Sequence, residues 1–420
     1  MSNINKGVPD ADQYYSLNDP AIGTVLPVDA YPQNARVPKL FEPLTIRGVN
    51  FKNRIFVSPM CQYSSDNGHA TDWHLIHIGA FATRGAGAIC LEATSVVREG
   101  RISPQDAGLW TDSQIAPLQR IVKFAHAHQA TIGIQLCHAG RKSSTIAQWV
   151  HADLAKTKKS NTWVAEKEDG GWPDKVYGPT DILYGEDYPK PNPMSEEDMT
   201  YVEDAFVKAI ERCKIIGFDF IEIHAAHGYL LHNFLSPLSN NRADKYGGSF
   251  ENRVRWPLRV LQLCRKAWEK PLFVRISAIE WAEGPERGPD GEWEQWGIEQ
   301  SNLLVGELEK MGIDLVDVST GGNWAKQKIP VGPGYQVPFA EAVKKAYPNI
   351  LVGAVGLITG YREAESYLQD GKADVVFLAR EFIRNPNFVL NAAQELGVAI
   401  KPANQYERGW TRMAVPKKLQ

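Results

Sequence analysis

Eight short apolar runs, spaced along the chain with segments of different periodicity between them, constrain the fold more than any other feature. They occupy residues 54–58, 88–92, 131–136, 218–223, 271–276, 313–318, 350–355 and 373–378. Rich in Val, Ile and Leu, they suit strands buried on both faces, as parallel sheets require. Helical patterns lie between them at 115–128, 196–216, 252–268, 294–311, 339–347 and 361–370. Ser195 is placed to cap the second of these, ahead of acidic residues. Eight alternating units predict an α/β chain closed into a (β/α)8 TIM barrel. An open, doubly wound sheet is the alternative; against it, no Gly-x-Gly-x-x-Gly follows the first run.

Three segments fall outside this rhythm. Residues 1–38 are rich in Asp, Asn, Pro and Tyr without sustained periodicity, and are expected as an irregular extension that wraps the body or stays partly disordered. The barrel is expected over 39–410, with 411–420 a tail. Residues 143–192 leave between the third strand and its helix, and Pro173, Gly178-Pro179, Pro189 and Pro191 argue against regular structure there. A second excursion, 281–293, follows the fifth strand. Both leave from strand C-terminal ends, where barrel loops build lids and ligand walls.

Composition narrows the partners. A formal charge of −3 over 420 residues offers no basic footprint for nucleic acid. No long apolar run suggests a membrane span, and the N-terminus lacks a signal-peptide core. Cys61, Cys90, Cys137, Cys213 and Cys264 are scattered and odd in number, as expected of reduced thiols in a cytoplasmic protein.

Chemistry-bearing residues collect where the strands end. The fourth run delivers His224, His227 and Tyr229 in quick succession, a set of hydrogen-bond donors and a proton source suited to an anionic oxygen or polarised carbonyl. The His-x-x-His pair has no further ligands at zinc spacing, so no metal site is expected. Core histidines satisfied by backbone are the other plain alternative. Gly356 after the seventh strand and Ala379-Arg380 after the eighth suit a phosphate cradle. Gln135 and Arg275 suit a planar polar heterocycle, the arginine stabilising an anionic ring. Cys61 follows the first strand and by default is a small buried apolar residue; Tyr63 shares its face if the chain stays extended.

Taken together, Ser58-Pro-Met-Cys-Gln-Tyr-Ser64, the Gly133–Lys142 run Gly-Ile-Gln-Leu-Cys-His-Ala-Gly-Arg-Lys, Ile223-His-Ala-Ala-His-Gly-Tyr-Leu230, Phe234-Leu-Ser-Pro-Leu-Ser-Asn240, Arg242-Ala-Asp-Lys-Tyr-Gly-Gly248 and Glu251-Asn-Arg253 resemble the old yellow enzyme family. Cys61 and the ending Gln405-Tyr-Glu-Arg-Gly-Trp410 resemble its thermophilic-like, bacterial-type branch. The resemblance is collinear over about residues 40–410. It implies an ene-reductase with non-covalent FMN, reduced by NADPH or NADH, that reduces alkenes activated by a carbonyl or nitro group. By the matching motifs, Ser58, Pro59, Met60, Cys61, Ala93, Gln135 and Arg275 line the flavin, and Gly356, Ala379 and Arg380 hold its phosphate. His224 and His227 bind the substrate oxygen, Tyr63 orients the substrate and Tyr229 protonates it. Cys61 tunes the flavin, and Arg408 reaches a neighbouring subunit of a homodimer or higher assembly. Ala379 departs from the family's usual glycine. Two alternatives differ in class: a dienoyl-CoA-type reductase, which needs an iron–sulfur cysteine cluster and another nucleotide domain, and a flavin-binding module with Cys61 as redox sensor.

Overall fold

The computed structural model describes residues 4–410, so the 411–420 tail lies outside the described residues. Eight parallel strands form a closed barrel. They are β1 (Ile55–Val57), β2 (Ala88–Ser95), β3 (Ile132–Cys137), β4 (Phe220–Ala225), β5 (Leu272–Ser277), β6 (Leu315–Ser319), β7 (Leu351–Ala354) and β8 (Val375–Leu378). β8 closes on β1 through Val376↔Ile55 and Phe377↔Phe56. All eight expected strands are therefore present, in sequential order, and the doubly wound alternative is excluded.

The expected helices occur as Ile115–Ala127, Glu196–Ile216, Phe250–Ala267, Ile298–Met311, Val337–Ala346 and Tyr361–Gln369. The fourth starts later than its pattern suggested, because Gly297 breaks it and Glu286 accepts the N–H groups of Glu299 and Gln300 at its first turn. Two further helices, Asp72–Ala82 and Phe388–Leu396, complete the outer ring. The first was masked by Trp73 and Ile76, apolar residues that face solvent and blur the period.

A hairpin unread in the sequence, Leu44–Ile46 with Val49–Phe51, turns through Arg47 and Gly48, both at positive φ. Two such residues make the turn that matches strand twist. Its Phe51 packs against Phe56, Phe220 and Phe273 inside the barrel, plugging the end opposite the site. A larger core fills the space between strands and helices.

One of the two long segments departs from expectation. The 143–192 loop is not wholly irregular: it holds the helix Gln148–Thr157, which buries none of its residues and so has no core-facing stripe to read. The N-terminal extension wraps the body. Asn34 donates to Leu26 O and Ala399 O and accepts from Ala399 N–H, and Val25 bridges Ile400. No helix among the described residues is long and apolar enough to cross a membrane.

Candidate active site

The floor of the site is built from five adjacent strands, β2 to β6. Register sets Ala93, Gln135 and Glu222 in one row across β2–β4, and His224, Arg275 and Asp317 in a second row across β4–β6, two residues further along β4. Gln135 Nε2 donates to Glu222 Oε1 at 2.7 Å. Arg275 donates to Ser58 Oγ at 3.1 Å and holds its Nε 3.1 Å from Asp317 Oδ2, without hydrogen-bond alignment. Glu222 and Asp317 are fully buried. Burial pushes both carboxyls up, repulsion from Asp317 raises Glu222 further, and Arg275 draws both back.

One cavity of about 310 Å³ runs from His227 and Arg275, past the ends of β6 and β7, to Arg380 after β8. Gly356 lines it at φ +128°, and a Cβ there would meet the Gln336 side chain at 3.0 Å. That leaves bare backbone facing the cavity. Arg380 is exposed at its mouth and pairs with no carboxylate among the described residues. An unpaired guanidinium beside open backbone suits a phosphate, and a buried arginine at the other end suits an electron-rich ring. The residues present therefore fit FMN. Ala379, in the glycine's usual place, lines the same cavity.

The rim carries the imidazoles and the phenol. After β4 the chain turns at His227 and Gly228, at φ +58° and +71°. The turn backs onto the loop after β6, where a Cβ on Gly322 would lie 2.6 Å from His227 Cα. Ser277 Oγ accepts from His227 N–H at 2.9 Å, and Lys142 Nζ donates to the His227 and Gly322 carbonyls. Burial and the neighbouring Arg141 push Lys142 down to about 7. Behind it, Arg141, Asn233, Asn323 and Glu280 form a buried polar brace.

Within this frame His224 Nε2 lies 3.3 Å from His227 Nδ1, and the Tyr229 ring centroid lies 4.8 Å from that of His224. Burial, then the charge of Arg275, holds both imidazoles well below their usual range and therefore neutral. Burial with Cys61 and Tyr63 raises the Tyr229 phenol well above its own.

Cys61 lies near enough to the Tyr229 phenol to raise it. Its Sγ and one carboxylate oxygen each of Glu92 and Asp106 lie within 4.8 Å of one another. Glu92 sits at a register shift in β2, which aims it at Gln62 N–H (2.8 Å) and His74 Nε2 (3.0 Å). Burial and Glu92 push Asp106 up to about 7; burial, Asp106 and Glu92 raise the Cys61 thiol well above its usual range. Pro59 and Met60 are half-buried beside it. Tyr63, at φ +51°, packs edge-on to Trp149 at 5.4 Å, on the helix of the long loop. Arg408 is exposed on Glu407–Trp410 and does not line this cavity.

Sequence reasoning left out Lys142, Asp106, Glu222, Asp317 and Trp149 as site residues. Glu222 and Asp317 were visible as acids inside apolar strands; the other three carry no local signal, because only the closed barrel brings them to the rim.

The sequence model of the NADH:flavin oxidoreductase / NADH oxidase family matches residues 39–398. An NADH:flavin oxidoreductase of Gibberella zeae is 46% identical, with 96% of this chain and 95% of that protein covered. An NADPH dehydrogenase of Geobacillus thermodenitrificans is 44% identical, with 88% and 98% covered. Among solved structures, morphinone reductase matches with a TM-score of 0.65 at 24% identity, over 87% of this chain and 91% of its own. A 2-naphthoyl-CoA reductase complex matches with a TM-score of 0.72 at 22% identity over 89% of this chain, which spans 54% of that reductase. Both likenesses are of fold. The family match and the curated relatives, together with the floor and cavity described above, establish that the chain belongs to the NADH:flavin oxidoreductase / NADH oxidase family, that of the old yellow enzymes, and is an FMN-dependent oxidoreductase.

Proposed function

We propose that the protein is an ene-reductase, reducing C=C bonds activated by a carbonyl or nitro group at the expense of NADPH or NADH. The observation that carries this reading is the convergence of His224 Nε2 and His227 Nδ1, 3.3 Å apart, beside the Tyr229 phenol. Bound FMN would supply the two-electron, hydride-transfer chemistry between nicotinamide and alkene. The protein's part is orientation, charge and a proton. His224 and His227 donate to the substrate oxygen and stabilise the charge that develops on it. Tyr229, kept protonated by its buried setting, gives its proton to the α-carbon. Tyr63 and Trp149 form the outer wall against which the alkene is oriented. Ser58, Pro59, Met60, Cys61, Ala93, Gln135 and Arg275 surround the ring, while Gly356, Ala379 and Arg380 take the phosphate.

A redox-sensing role for Cys61 fits less well, since a sensor needs thiolate character and this thiol is held protonated. Arg408, exposed and clear of its own cavity, is free to serve a neighbouring subunit in a homodimer. The reading includes a cytoplasmic location.

The test is Tyr229→Phe, assayed with cyclohex-2-enone under anaerobic conditions. Enone reduction is expected to fall by roughly 10²–10⁴-fold, the usual worth of a positioned acid, while FMN content is retained. Unchanged turnover would sink the assignment of the proton donor. A purified protein without a flavin spectrum would sink the whole reading.

A further inference from the structure

The hydrogen-bond chain behind His227 bears on how the substrate-oxygen site is prepared. His224 Nδ1 accepts from Ala226 N–H at 3.2 Å, so the neutral ring carries its proton on Nε2, facing His227. For His227 the choice is set from the other side. Its Nε2 lies 2.7 Å from Ser319 Oγ, at the end of β6. Ser319 Oγ is 3.3 Å from Gln336 Oε1, which already accepts from Thr320 Oγ1 at 2.7 Å. Thr320 in turn accepts from Trp281 Nε1–H at 2.9 Å, so its own proton is committed to Gln336. Gln336 Nε2 donates to Val355 O at 3.1 Å, which fixes the amide with its oxygen toward the two hydroxyls.

The Ser319 proton thus has two acceptors, a long one on Gln336 that is shared with Thr320 and a short one on His227. A separation of 2.7 Å is typical of an O–H donor and short for an N–H donor. We infer that Ser319 is a positioning residue, whose hydroxyl donates to His227 Nε2 and thereby places the His227 proton on Nδ1, facing the substrate oxygen.

Two N–H groups, from His224 Nε2 and His227 Nδ1, then converge with no acceptor between them until the substrate brings one. With the opposite tautomer, His227 Nδ1 accepts from His224 and Nε2–H bonds to Ser319 Oγ. All local partners are then satisfied, and only one donor remains for the substrate. The two arrangements differ by one proton moved across the His227 ring, with Ser319 reversing from donor to acceptor. The inference rests on the reading of His224 and His227 as the substrate-oxygen donors.

The experiment uses FMN-loaded enzyme with ¹⁵N-labelled histidine, titrated in the oxidised state with cyclohex-2-enone, with FMN content as the folding control. Wild-type enzyme with enone should show His227 protonated at Nδ1. Ser319→Ala should lose that signature and bind the enone at least about tenfold more weakly, the loss of about 1.4 kcal/mol. Ser319→Thr, which keeps the hydroxyl, should restore both. A proton on Nε2 of His227 in the enone complex, or enone affinity unchanged in Ser319→Ala, overturns the role of Ser319. His227→Ala separates the two levels. Weakened binding there with Ser319→Ala unaffected rejects only the serine's role, whereas unchanged binding in His227→Ala rejects the substrate-oxygen reading and the inference with it.

Discussion

Arg275 on β5 and Asp317 on β6 stand in register, Nε 3.1 Å from Oδ2, on the floor of the cofactor cavity. Glu222 adds a second buried carboxyl to this single guanidinium. Asp317 makes the direct ion pair, and Glu222, bonded to the Gln135 amide, is the one held as an acid. Asp317→Asn should therefore cost about 3–5 kcal/mol, because it strands a buried cation. Glu222→Gln keeps a neutral partner for Gln135 and should cost about 1 kcal/mol or less. Urea denaturation of the FMN-free proteins checks this, and equal costs would show that the charge assignment is wrong. In the loaded enzyme, Asp317→Asn should also raise the flavin potential, since the uncompensated arginine favours the anionic reduced ring.

Removing one of the two imidazoles tests the rim. His224→Ala should lower kcat for enone reduction by about 10²–10³-fold, the cost of one lost oxyanion donor. Its FMN content should match the wild type, because the ring does not touch the phosphate end of the cavity. Reduction of FMN by the nicotinamide, followed alone by stopped flow, identifies which half-reaction the histidine serves.

Asp106 makes stability depend on pH with a definite sign. Its carboxyl is pushed from the ordinary 3.8 up to about 7 by burial and Glu92, so the folded chain binds a proton the unfolded chain releases. This contribution is fully present below about pH 4 and is lost as pH rises to about 7, at up to about 1.4 kcal/mol per pH unit. The depressed buried histidines act in the opposite direction, so the difference between proteins is the informative quantity. Asp106→Asn should gain stability relative to wild type as pH rises from 4 to 7. A difference independent of pH would exclude the raised carboxyl.

Trp149 is 59% exposed and meets the protein edge-on at Tyr63. An aromatic pair of this kind is worth about 0.5–1.5 kcal/mol. Trp149→Ala should change thermal stability little but raise KM for the enone by roughly 2–10-fold, with kcat nearly constant. A fall in kcat without a change in KM would show that this wall has no part in holding substrate.

The legibility of the fold varied with the strength of the local signal. Strands 54–58 to 373–378 were readable because burial on both faces leaves unbroken apolar runs. The helix Asp72–Ala82 was not, since exposed Trp73 and Ile76 erase its polar face. The helix Gln148–Thr157 was not, because a helix that buries nothing carries no stripe. At the candidate site, the grouping of His224, His227 and Tyr229 was legible from their place after a strand, and Arg275 and Gln135 from theirs within strands. Their partners Ser319, Lys142 and Asp317 were not assigned roles, because those roles depend on which strand lies next to which.

The amino-acid order alone determined the number of β/α units, and with it the closure of the barrel and the rim that carries the chemistry. Both follow from period and burial, which are local properties. Tertiary structure alone decided the charge and hydrogen-bond arrangement: which carboxyl pairs with Arg275, and which nitrogen of His227 meets Ser319. Those depend on distances of about 3 Å between residues far apart in the chain, such as Arg275 and Ser58, 217 positions apart, and Coulomb energies and hydrogen bonds are set by distance in space.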